Sequence, residues 1–170
     1  GIVVHVNSDG VGGQIMAPWP IDKDGNKSSS DVQIIWATEL VDIADLTNYS
    51  SAEDAAKDYD SCNNTDKIIA AGDASTHPAA WATRAYAPTT DTAGKWCLPA
   101  AGIMTNIYNN KSAIDTAISK VGGVAFKGTG YNSSTESSKI YSWASNFLYS
   151  YGLSDGNKYF LNSVRPVLEF

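Results

Sequence analysis

The apolar positions of this chain change period along its length. "GIVVHV" and "GQIMAPWP" flank the turn "NSDGVGG" and predict two short strands. "VQIIWA" predicts a buried strand. From Ser51 the spacing becomes helical. Ser51 is placed to cap "AEDAAKDYD", with Asp54 three residues on. "NTDKIIAAG" predicts a second helix, capped at Asn64 or Thr65 and closed by Gly72. "HPAAWATRAYAP" predicts a third, with Pro78 in its first turn and Ala79, Trp81, Ala82, Ala85 and Tyr86 near one face. "KWCLP" reads as a short apolar strand, and "AGIMTNIYNN" and "SAIDTAISKVGG" as two helices. In the last of these Ile114, Ala117, Ile118 and Val121 form one stripe, and Gly122 ends it. From Val124 the pattern is strands and long turns. Trp143, Ser145 and Phe147 alternate, as do Val164, Pro166 and Leu168 against Arg165, Val167 and Glu169.

Strands, then helices, then an irregular β region closed by a strand make the expected fold class α+β. Both chain ends read as strands and are expected to pair. With no internal repeat and no linker, residues 1–170 are expected to form a single domain.

Composition narrows the function. The chain is 43% hydrophobic and 18% charged, as in a globular protein. Its net charge of −6, without a basic patch, excludes nucleic acid as the expected partner. No apolar run is long enough to insert in a membrane. The opening strand pattern is not that of a signal peptide, and a leader would lie ahead of it. Cys62 and Cys97 could form one disulfide, which would suit an exported protein, or two buried thiols.

Catalytic patterns are weak. His5 lies in a strand pattern and His77 precedes Pro78 at a helix start, both structural settings. No serine has a G-x-S-x-G elbow. Cys97 reads as part of a buried strand, where a thiol is inert. "GVGG" lacks the helix and lysine of a phosphate loop. "DKDGNKSSSD" misplaces Gly25 and lacks the closing Glu of a calcium loop, so it reads as a turn. Glu39, Asp42 and Asp45 read as a solvated acidic cluster. No enzyme activity, metal or cofactor is expected.

Three stretches share a wider pattern. They are "LTNYSSAEDAAKDYDSCNNTDKIIAA", "GKWCLPAAGIMTNIYNNKSAIDTAISKVGG" and "YNSSTESSKIYSWASNF…GNK…SVRPVLEF". In order and spacing, "WCLP", "SSTE" and "VRPV" resemble a family of bacterial and phage surface proteins, from about Trp36 to Phe170. Those proteins are C-type lectin-like and related to the variable proteins of diversity-generating retroelements. The resemblance implies a C-type lectin-like fold whose C-terminal segment, about residues 131–163, is diversified for ligand binding. From Ala144 to Ser163 only Lys158 lies outside the residue types that adenine mutagenesis reaches. Asn132 stands where the family often has Trp. The calcium-dependent sugar motifs of animal C-type lectins are absent. The formylglycine-generating enzymes share the fold class, but their paired catalytic cysteines have no place here.

Composition supports a contact surface independently. Tyr and Phe offer rigid contact area, and Ser, Gly and Asn add adaptable hydrogen bonds, as in antibody paratopes. The candidate ligand contacts are Asn132, Tyr141, Ala144 and Ser145, then Leu148, Tyr149, Tyr151, Ser154 and Asp155. Asn157, Tyr159, Phe160, Leu161 and Asn162 complete the set. Phe147 and Trp143 are expected in the core. Glu136 and Arg165 are expected to form an ion pair with each other or to bond loop backbone. The expected setting is extracellular, on a bacterial surface, pilus or phage virion, with a protein or glycan of another cell as partner. The alternative is a non-diversified structural or adhesive module with the same fold.

Overall fold

A computed structural model describes residues 1–147 and 152–170. Its strands β1 (Ile2–Val6), β2 (Gly13–Met16) and β8 (Val167–Glu169) form an antiparallel sheet in the order β1-β2-β8. The two terminal strands therefore share one sheet, joined through β2. A second sheet has the order β3-β7-β4-β5-β6. It comprises β3 (Gln33–Ile35), β4 (Gly130–Glu136), β5 (Tyr141–Asn146), β6 (Gly152–Asn157) and β7 (Leu161–Ser163). Among its described strand pairs, only β4–β7 is parallel. Helices α1 (Ala52–Ala55), α2 (Ser61–Ala71), α3 (Pro78–Ala85), α4 (Ala101–Asn109) and α5 (Lys111–Lys120) occupy the middle of the chain. The architecture is α+β, as its pattern predicts.

Helix α4 touches β1 of one sheet and β4, β5 and β6 of the other. Ile103, Met104 and Ile107 on its buried side join Met16, Ile114, Ile118, Phe126 and Tyr131 in one core cluster. A second cluster gathers Ile21, Trp36, Ile68, Tyr86, Trp96, Leu98 and Val164. Fully burying one such side chain contributes roughly 1.5–3 kcal/mol.

Several local expectations change. Ser51 does cap α1, accepting the Asp54 N–H at 3.1 Å, but the helix lasts four residues. The following segment is held elsewhere. The Asp58 carboxylate accepts from Thr135 at 2.7 Å and Asn64 at 2.8 Å, and its carbonyl accepts the Gly102 N–H at 2.8 Å. That approach requires glycine, because a Cβ at Gly102 would lie 2.5 Å from the Asp58 carbonyl oxygen. Helix α2 starts at Ser61, so Asn64 and Thr65 are buried helical residues rather than caps. "KWCLP" makes only a bridge from Cys97 to Val167 instead of a strand. The alternation at the C-terminus also fails, since Val164, Arg165, Pro166 and Val167 are all buried.

Cys62 and Cys97 form a disulfide with Cα atoms 5.1 Å apart, which ties α2 to the segment bridging β8. The "DKDGNKSSSD" stretch is a turn. Asp22 accepts the N–H groups of Asp24 and Asn26 at 3.0 and 2.8 Å.

Candidate functional site: an aromatic turn over a polar sheet face

The register of β5 against β6 sorts the C-terminal segment into two faces. Trp143 pairs with Asp155, Ala144 with Ser154 and Ser145 with Leu153. Paired residues point the same way and neighbours alternate. Trp143 turns inward onto Ala55 and Ala101, with Tyr49 and Leu153 against it, and donates its indole N–H to the Tyr49 carbonyl at 2.9 Å. On the opposite face Ala144, Asn146, Ser154 and Gly156 reach solvent at least in part. That face is built from small and polar residues.

Phe160 lies over it. A Cβ on Gly156 would be 3.0 Å from the Phe160 ring, so the ring covers the glycine. The turn that carries Phe160 is set by Asn157, whose carbonyl accepts the Phe160 N–H at 2.8 Å and whose side chain accepts the Tyr159 N–H at 2.9 Å. Tyr159, Phe160 and Leu161 are 47%, 60% and 56% exposed. Tyr141 is 42% exposed at the near end of β5.

Lys158, beside these exposed residues, is fully buried. Its ammonium forms an ion pair with Glu136, also fully buried, and donates to the Val41 carbonyl at 2.7 Å. It sits 4.7 Å from the centre of the Trp36 ring. The Lys158 carbonyl accepts the N–H groups of Trp36 and Ala37 at 2.9 and 3.2 Å, and its N–H bonds the Ile140 carbonyl at 3.0 Å. The other Glu136 carboxylate oxygen accepts the Ile43 N–H at 3.3 Å. Burial pushes the Glu136 carboxyl above its usual range and the Lys158 ammonium below its own, while each charge pulls the other back. The aromatic turn thus stands on a charge pair inside the core.

The candidate contacts separate accordingly. Tyr159, Phe160, Leu161, Tyr141, Ser154 and Asp155 are exposed. Ala144, Asn157 and Asn162 are partly exposed. Two expectations are corrected. Asn132 is 1% exposed, because its amide donates to the Ile34 carbonyl at 2.9 Å and its oxygen accepts from Asn162 at 3.1 Å. Ser145 is fully buried on the Trp143 face. Asn132 ties β4 to β3 and β7, and Ser145 pairs across the sheet with Tyr131 and Leu153. Leu148, Tyr149 and Tyr151 lie outside the described residues.

The core expectations hold. Trp143 is buried, and half-buried Phe147 packs on Phe126 at 4.5 Å and Tyr131 at 5.3 Å between ring centres. Arg165 bonds backbone, donating to the Val124 and Pro18 carbonyls at 2.7 and 3.2 Å, and its guanidinium lies 4.2 Å from the Phe126 ring centre. Glu136 takes Lys158 as partner instead of Arg165. The role of Lys158 was not legible from the sequence. The available signal was a lone lysine in a stretch otherwise free of lysine, arginine and glutamate.

No protein-family model matches the chain, and no curated protein matches it. Among solved structures it is similar to a fimbrial protein from Bacteroides ovatus ATCC 8483, with a TM-score of 0.60 at 16% identity. The match covers 93% of this chain and 36% of the fimbrial protein. At that identity the likeness is one of fold.

Proposed function

We propose that this chain is an adhesive, ligand-binding module of an extracellular surface assembly. It meets its ligand, a protein or glycan on another cell, through Tyr159, Phe160 and Leu161 beside the polar face of β5 and β6, with Tyr141 exposed at the end of β5. The observation that carries the reading is the pairing of an exposed aromatic turn with a fully buried lysine at its base. Aromatic side chains held rigidly lose little entropy on contact. The disulfide suits an oxidising compartment, and the fold likeness to a fimbrial protein is in keeping with a surface role. In the test, the chain and a variant with Tyr141, Tyr159, Phe160 and Leu161 replaced by Ser are screened on arrays of glycans and surface proteins. Binding that survives the fourfold replacement would move the site elsewhere.

A second reading adds diversification of residues 131–163. The order of "WCLP", "SSTE" and "VRPV" favours it. It requires a template repeat and a reverse-transcriptase gene beside the coding sequence, and their absence would leave the fixed adhesive module alone.

A further inference from the structure

The outer strands of the two sheets are not equally protected. The free side of β8 is closed by Cys97, which exchanges backbone bonds of 2.8 and 2.9 Å with Val167. In the other sheet β3 has three residues, and β6 carries Asp155 with Gly152 and Gly156. Shortness, charge and glycine all discourage pairing with a foreign strand. β1 has none of these protections. Four of its five residues are β-branched, and none is proline or formally charged. Among the described residues, no backbone hydrogen bond reaches its side away from β2.

Beside β1 runs a groove of about 380 Å³, lined by the whole strand and by Asn110, Ala113, Ile114 and Ala117 of the α5 region. No Asp, Glu, Lys or Arg lines it, although 18% of the chain is charged. Val3 and Val6 are 55% and 54% exposed at its edge.

We propose that β1 and this groove accept an extended, uncharged segment of another polypeptide, which adds a fourth strand to the sheet and lays alternate apolar side chains against α5. An open edge supplies backbone donors and acceptors, and the groove supplies side-chain pockets, the two parts of strand-addition recognition. The groove also selects against charge, because a charged side chain placed there would be desolvated without a partner. The register irregularity between Val3 and His5 shortens the ladder, so side-chain burial carries the larger share. Edge-to-edge pairing with a second copy would run over at most the five residues of β1.

The test uses the whole chain and the synthetic peptide Thr-Val-Thr-Val-Thr-Val with a Gly-Ser tail. Amide hydrogen exchange is followed across β1 as the peptide is added, with analytical ultracentrifugation of the chain alone. The expected result is at least about tenfold slower exchange in β1, lost when alternate peptide residues are proline. Ala113→Glu, at an exposed helix position, is expected to weaken peptide binding about tenfold or more while leaving thermal unfolding unchanged. Three results would overturn the proposal. They are no protection at millimolar peptide, undiminished binding by Ala113→Glu, and protection that rises with protein concentration alone, which would make the occupant a second copy.

Discussion

At the scale of single residues, the buried polar groups set the conditions under which the fold persists. His77 is fully buried, with Nδ1 3.1 Å from the Thr76 hydroxyl and Nε2 without a partner among the described residues. Burial, and then the nearby Lys158 ammonium, hold its pKa below the ordinary 6.5, with Glu39 and Asp73 opposing. The unfolded chain therefore takes up this proton before the folded one does. Stability from the neutral imidazole is complete above about pH 6.5 and declines as pH falls below it. His77→Asn is expected to flatten the fall in melting temperature between pH 7 and pH 5.5, and parallel curves for the two proteins would refute this. Arg165 makes a different prediction. Its truncation strands the Pro18 and Val124 carbonyls and removes the cation from the Phe126 ring. Arg165→Ala is expected to cost about 3 kcal/mol in denaturant unfolding, at roughly 1–3 kcal/mol per stranded group. Whatever remains folded should keep its ligand preference, and a stable variant that has lost binding would contradict the scaffold role.

At the scale of elements, two cross-links hold parts distant in sequence. The Glu136–Lys158 pair fastens the β6–β7 turn to β4. Lys158→Met leaves a carboxylate buried and uncompensated, with an expected loss of about 3–5 kcal/mol. Replacing both residues by Met should recover most of that loss, since apolar pairs often match buried ion pairs. If the double variant is no more stable than the single one, the pair is not the anchor. The disulfide closes a loop of 35 residues, so Cys62→Ser with Cys97→Ser should lower stability by about 3–4 kcal/mol. The elements themselves were largely legible. Pro78 marked the first turn of α3, and the stripe of Ile114 and Ile118 marked α5, because both signals are local. The start of α2 and the early end of α1 were not. Asn64 and Thr65 look like caps in sequence, but Asp58, itself held by Thr135, takes the Asn64 amide, and the Thr65 hydroxyl accepts the Leu98 N–H. Long-range hydrogen bonds leave no periodicity to read.

At the scale of the whole molecule, the proposed contact surface and the core draw on different residues of the same C-terminal segment. Composition marked the 144–163 stretch as contact surface but could not say which residues face out. Ser145 is buried because sheet register, which sequence does not display, sets it on the Trp143 face, and Asn132, ahead of that stretch, because Ile34 and Asn162 claim its amide. Tyr159, Phe160 and Leu161 are exposed, while Lys158 beside them turns into the core. This separation has a measurable consequence. The three exposed side chains contribute little to the core, so replacing them with Ser should move the melting temperature by only a few degrees, as surface substitutions usually stay within about 0.5 kcal/mol each. Well-packed aromatic contacts, in contrast, commonly cost about 2 kcal/mol or more each when truncated. Since about 1.4 kcal/mol is tenfold in affinity, the triple variant should bind a ligand identified in the array screen at least about a hundredfold more weakly. Lys158→Met should show the converse: a large loss of stability, with affinity reduced only as far as the turn loosens. Calorimetry and equilibrium binding on the two proteins separate the cases. A triple variant that unfolds early would show that these side chains belong to the core, and one that binds unchanged would show that the aromatic turn is not the contact.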